Sequence, residues 1–246
     1  MSVFKLPDSF CSFVKKEMTN FWWGAEDGER KLLWKSWKAL CNAKSIGGLG
    51  FRSMKPFNQA MLAKQVWRIQ TNQSPLLTNL FKAKYFSRTT FSNSSLGHSP
   101  SYVWQSLHWG KSLLKEGLCK RIGNGSTTRI LHDNWIPNHC FIPTSLPSHL
   151  VHVSDFLLPT GDWNIPLMRS HFPQDTISDI LSLPPPDTTQ TDSYFWQHTS
   201  SGHYSVKTGY HVAKTSTNLT QPSPSNTTIL KRWWNSLWSL QIPPKI

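Results

Sequence analysis

The chain has 246 residues, room for one large domain or two small ones with a buried core. Only 16% of them are charged, yet Lys and Arg outnumber Asp and Glu 26 to 13, and this formal charge of +13 favours a polyanionic partner such as nucleic acid. Four widely spaced cysteines without a CxxC exclude a secreted disulfide framework, no run of about 18 apolar residues exists to span a membrane, and "MSVFKLPDSFCSFVKKEM" lacks the apolar run of a signal peptide.

In chain order, residues 8–20 read as a short helix with Asp8 as its N-cap. "RKLLWKSWKALC" predicts a second helix, with Leu33, Trp37 and Leu40 on one face and Lys31, Lys35 and Lys38 mostly off it. "SIGGLGF" must end it, because Gly47, Gly48 and Gly50 accept positive φ and close backbone approach. It is no phosphate loop: no strand precedes it and no Lys-Ser/Thr follows. "KPFNQAMLAKQVWRIQ" gives the clearest helical signal. Pro56 suits a first turn, Leu62, Val66 and Ile69 form an apolar stripe, and Lys64 and Arg68 form a basic i, i+4 pair.

"SPLLTNLFKAKYF" predicts another helix ending near Tyr85, and the Ser/Thr/Asn-rich stretch 87–99 reads as an internal boundary. "SPSYVWQSLHWGKSLLKEG" predicts a helix with Trp104, Leu107 and Leu114 inward. "CKRIGNGSTTRILHDNW" reads as a hairpin around Gly123-Asn124-Gly125, and "SYFWQHTSSGHYSV" as a second around Ser201-Gly202, followed by a helix from Val206. Short helices are expected near 163–171 and 176–183, a polar linker over 215–228, and an apolar helix in "LKRWWNSLWSLQIPPKI". The expected fold is therefore mainly α with two small β-hairpins.

The charge is uneven. Residues 1–88 hold 15 basic and 5 acidic groups, a net +10, against 11 and 8, a net +3, in the remainder. An electrostatic function is expected mainly in the first third. There Trp22, Trp23, Trp34, Trp37 and Trp67 alternate with Lys31, Lys35, Lys38, Lys64 and Arg68, the mixture that stacks bases and neutralises phosphates. At helical spacing the tryptophans read first as core, and the five cations as either phosphate-facing or solvated. His132, His139, Cys140, His149 and His152 are close in sequence, but adjacent His139-Cys140 suits one tetrahedral zinc poorly, so no metal or other cofactor is expected. The acidic residues are scattered, no Asp-Asp occurs, and the cluster Glu26–Glu29 abuts Arg30 and Lys31 as a solvated charge run would.

A series of ordered motifs adds to this reading. "FWWG", "W-x-x-L-C" at Trp37–Cys41, "GGLGF", "FNQAMLAKQVWRI", "KAKYF", "PSYVWQSL", "RIGNG", "DNWIP", "SGHYSVKTGY" and "LWSLQIPPKI" follow one another along nearly the whole chain. The series resembles the C-terminal region of plant LINE-type (non-LTR retrotransposon) reverse transcriptases, from behind the polymerase palm to the opening of the zinc-binding segment. The resemblance implies three parts: a basic helical region resembling the thumb or connection over 1–88, a connection region over 89–214, and a linker with the truncated start of the zinc-binding segment over 215–246. The family's catalytic aspartates stand in an upstream Tyr-x-Asp-Asp, so no catalytic residue carries over. Its zinc ligands follow "LW-x-L-x-(I/V)-P-P-K", inside which this sequence reaches Ile246.

The expectation is a non-catalytic fragment that binds RNA or DNA without sequence preference through its basic third. No membrane partner and no small-molecule substrate are expected, and nucleus and mitochondrion both stay open as compartments. Two alternatives stay open beside it: an inert relic, and an accessory subunit of a separately encoded reverse transcriptase.

Overall fold

Helix Met54–Gln70 (α3) is the spine of the fold. The computed structural model describes residues 1–24, 33–136, 146–218 and 227–240. Leu62, Val66 and Ile69 are buried as the stripe predicts, but Asn58, Ala60, Ala63 and Trp67 are buried too. Two other helices clasp α3 from different sides, so its apolar surface is wider than one stripe. Tyr102–Lys115 (α5) approaches so closely at Gly110 that a Cβ there would lie 2.7 Å from the Leu62 carbonyl carbon. Val206–Asn218 (α8) is fastened by Tyr204, whose hydroxyl donates to the Ala60 carbonyl at 3.0 Å, and by Tyr210, whose hydroxyl accepts from the Ser53 N–H at 3.0 Å.

Pro75–Tyr85 (α4) supplies Phe81 and Tyr85 to a pile of rings centred on Trp104, with Tyr85 stacked on it at 4.4 Å and Phe86 and Phe91 alongside. This principal core therefore takes side chains from both sides of residues 87–99 and from α8. At the N-terminus, Asp8–Trp23 (α1) begins after Pro7 with Asp8 as its first helical residue rather than its cap. Asp8 pairs with Lys55 at 2.9 Å. Helix α1 buries no residue, and Phe13, Phe21 and Trp22 are exposed.

The second expected helix is much shorter than predicted, Trp37–Leu40 (α2), because the Ser36 hydroxyl accepts from the Ala39 N–H and starts it there. Lys31 lies outside the described residues, and Leu33 is exposed instead of sharing the buried face of Trp37 and Leu40. A 3₁₀ turn, Lys44–Ile46, follows and closes on Gly47 at φ 81°. Thr227–Ser239 (α9) packs over this turn: Trp234 lies on Gly47, and the Trp238 indole N–H donates to the Lys44 carbonyl at 3.0 Å. Trp233, Trp238 and Leu240 stay exposed.

The fold is mainly α, but the strand pairing corrects the two expected local hairpins. Leu118–Arg121 (β1) pairs antiparallel with the distant Ser193–Trp196 (β2), in the register Leu118↔Trp196 to Arg121↔Ser193. After β1 the chain next bonds to that strand's backbone around Asn134, whose carbonyl accepts from the Lys120 N–H at 2.7 Å, but the glycine turn between them leads into no second paired strand among the described residues, because Asp192 gathers that turn. Its carboxylate accepts from the N–H groups of Gly123 (2.8 Å), Gly125 (2.9 Å) and Thr127 (3.1 Å), and from the hydroxyls of Thr127 (2.8 Å) and Thr128 (2.7 Å). Burial opposes ionisation of Asp192, but these donors outweigh it and hold the carboxyl below its ordinary pKa. Around Ser201-Gly202 the Trp196 N–H donates to the Gly202 carbonyl at 2.7 Å, a turn with no further paired strand among the described residues. A second core joins Ile122, Ile130, Trp135, Val153 and Phe156 to Ile165–Arg169 (α6) and Gln174–Leu181 (α7).

Candidate nucleic-acid interface

The predicted cations do not share one role. Lys35 precedes α2, donates to the Gly47 carbonyl at 3.0 Å and lies 5.0 Å from the centre of the Trp234 ring, so it fastens α9 to the glycine turn. Lys64 is half-buried on α3 and donates to the Tyr204 carbonyl at 2.9 Å, tying α3 to the start of α8. Burial, and then the charge of Arg68, hold its pKa below the ordinary lysine value. Lys38 on α2 and Arg68 on α3 are exposed, while Lys31 lies outside the described residues. Of the interleaved tryptophans, Trp37 and Trp67 are core, and Trp22 and Trp34 are exposed.

A basic cleft lies elsewhere, between the end of α3, the last turn of α5, and β1. It is about 290 Å³ in volume, and Lys111, Lys115, Lys120, His132, Asp133 and Tyr194 are among its lining residues. Lys111 and Lys115 lie one turn apart on α5. Lys111 is 7% exposed, and its ammonium donates to the Ser94 carbonyl (2.9 Å) and hydroxyl (3.3 Å), both neutral. Desolvation, reinforced by Lys115, pushes its pKa down to about 8. Lys120 is also buried and donates to the Thr127 carbonyl (2.6 Å) and to Asp133 (2.9 Å). Cys119 at the cleft floor is an inert thiol, raised to about 11 by burial against a hydrogen bond from Asn134. Just above, burial and the charges of Lys111 and Lys115 push His108 down to about 4, so it is neutral.

Sequence reasoning missed this cleft. Its only signal was Lys111–Lys115 at i, i+4 without an intervening acid, which reads as an ordinary exposed helix face. The loop carrying Phe91 and Ser94 turns that face inward: Ser94 receives the ammonium, and Phe91 lies 5.3 Å beneath it, centre to nitrogen.

No family model matches the chain, and no solved structure matches it. It is 40% identical over 144 residues to the "Uncharacterized mitochondrial protein AtMg00310" of Arabidopsis thaliana, an alignment covering 58% of this chain and 94% of that protein. The chain belongs to the AtMg00310 family. A second relative, the "Putative ribonuclease H protein At1g65750" of Arabidopsis thaliana, is 23% identical, and the alignment takes in 100% of this chain but only 40% of that longer protein. In this member of the AtMg00310 family, the described residues place no three His, Cys, Asp or Glu side chains together as a metal would require. His139 and Cys140 of the histidine-rich stretch lie outside them. No helix among the described residues is long and apolar enough to cross a membrane.

Proposed function

We propose that this member of the AtMg00310 family is a transposon-derived, non-catalytic piece of a retrotransposon reverse transcriptase that retains sequence-independent binding to RNA or DNA. The motif series from "FWWG" to "LWSLQIPPKI" supports the origin, and the ribonuclease H name of the longer relative ties that lineage to nucleic acid. The absence of catalysis is inferred from the acids themselves. Two-metal phosphoryl transfer needs carboxylates facing two divalent ions. Here Asp133 is engaged by Lys120, Asp192 by the glycine turn, and Asp155 by the Val151 and His152 N–H groups at 2.8 Å each.

The observation that carries the binding reading is the twofold excess of cations over acids, combined with a cleft lined by three lysines against one aspartate. The test is fluorescence anisotropy of the full chain with labelled RNA and DNA oligonucleotides over a salt series. The full chain is required because α3, the main basic helix of the first third, is buried against α5 and α8. Binding that weakens steeply with salt and ignores base sequence is expected. No binding at low salt would leave the inert-relic reading.

A further inference from the structure

The cleft between α3, α5 and β1 holds more positive charge than its protein partners neutralise. Three lysines and one aspartate line it, a net of two positive charges from these four side chains. The aspartate, Asp133, is taken by Lys120 and by the Arg129 N–H at 2.8 Å. Lys111 and Lys115 have no carboxylate partner among the described residues. A buried cation among neutral partners is costly unless an anion joins it. The hydrogen bonds are also incomplete. An ammonium carries three donors; Lys111 places two on Ser94, and Lys120 places one on Thr127 and one on Asp133. Among the described residues, each keeps one N–H for a further acceptor.

We propose that this cleft is a phosphate-binding site that takes a backbone phosphate of a single nucleic-acid strand. A phosphate supplies several acceptor oxygens and the missing negative charge, which Lys111, Lys115 and Lys120 meet from α5 and β1. A cavity of about 290 Å³ has room for a phosphate and part of one nucleotide, but not for a duplex. The half-buried ring of Tyr194 in its wall offers a face for a base. The strand as the source of the phosphate rests on the function proposed above; the anion chemistry of the cleft does not.

The test uses the full chain and three variants: Lys111→Met, Lys115→Gln, and Lys207→Gln as a control that removes one exposed charge from α8, outside the cleft. Inorganic phosphate is titrated calorimetrically, and a labelled oligo(dT) is titrated by anisotropy over a salt series. Loss of about ten-fold or more in phosphate affinity is expected for Lys111→Met. A salt slope flatter by about 0.7 is expected for Lys115→Gln, one single-strand phosphate contact. Lys207→Gln should retain wild-type phosphate affinity. Lys115 is exposed, so its variant keeps the test open even where Lys111→Met unfolds. Oligonucleotide binding equal in both cleft variants and the control would overturn the cleft while leaving the proposed function standing. Phosphate binding lost in Lys111→Met, with no oligonucleotide binding by the wild type, would support the anion site and overturn both its strand ligand and the proposed function.

Discussion

Replacing Lys111 by Met exposes how much its buried charge costs the fold. The folded chain releases the Lys111 proton near pH 8, whereas an unfolded chain holds it to about 10.5. Below pH 8 both states are charged and the full penalty of the buried ammonium, about 3 kcal/mol at about 1.4 kcal/mol per pKa unit, weighs on the native state. Between the two values the unfolded chain binds more protons, so wild-type stability rises with pH there, by about 2 kcal/mol from pH 7 to 9.5. Methionine keeps the length and apolar stem but cannot charge. It also forfeits the bonds to the Ser94 carbonyl and hydroxyl, at about 1–2 kcal/mol. Urea denaturation followed by tryptophan fluorescence at pH 7 and pH 9.5 should therefore show the variant as stable as the wild type, or slightly more so, at pH 7. It should lack the wild type's gain at pH 9.5. Cys119, raised to about 11, lowers stability above pH 9 in both proteins and cancels in the difference. Parallel pH dependences for the two proteins would refute the claim that Lys111 is a buried, uncompensated cation.

Three further outcomes are expected. Gly110→Ala places a Cβ 2.7–2.8 Å from the Leu62 and Ala63 backbone, forces α3 and α5 apart, and should cost about 2–3 kcal/mol in a urea titration. Asp192→Asn turns one carboxylate oxygen into an N–H₂ that faces either the Gly123 and Gly125 N–H groups or the Thr127 N–H, none of which can accept, so a loss of about 2–3 kcal/mol is expected. Because the native Asp192 pKa is depressed, its contribution is present above the ordinary carboxylate value and is lost as pH falls through the native one; the acid limb of the stability curve should flatten in the variant. Primer extension on RNA and DNA templates with Mg²⁺ or Mn²⁺ should yield no product, and extension that co-purifies with the full chain would sink the non-catalytic reading.

The helices were legible because their signals are local. Pro56 marks a first turn, Leu62, Val66 and Ile69 mark a face, and Gly47 marks a stop. The length of α2 was misread because apolar spacing over 33–40 competes with the Ser36 cap, and the cap decides where the first N–H groups are satisfied. The sheet was illegible for a different reason. Gly123-Asn124-Gly125 carries the local chemistry of a hairpin turn, but its N–H groups answer to Asp192, far along the chain, and β1 finds its partner beside that residue. The cations failed in the same way. Periodicity puts Lys64 on the polar face of α3 and Lys111 on that of α5, and says nothing of the Tyr204 carbonyl or the Ser94 loop that meet them. Lys38 and Arg68, which meet no such distant partner among the described residues, are exposed.

The salt dependence of single-strand binding by the intact chain tests the central claim most directly. Lys38 and Arg68 of the predicted cations, with Lys111 and Lys115 of the cleft, are counted as phosphate contacts; Lys35 and Lys64 are committed to carbonyls of the fold, and the charge of Lys120 is already balanced by Asp133. About four contacts at about 0.7 each predict a slope of about −3 for log affinity against log salt, unchanged by base sequence. A slope near zero, or no binding at about 50 mM salt where such contacts are strongest, would contradict it.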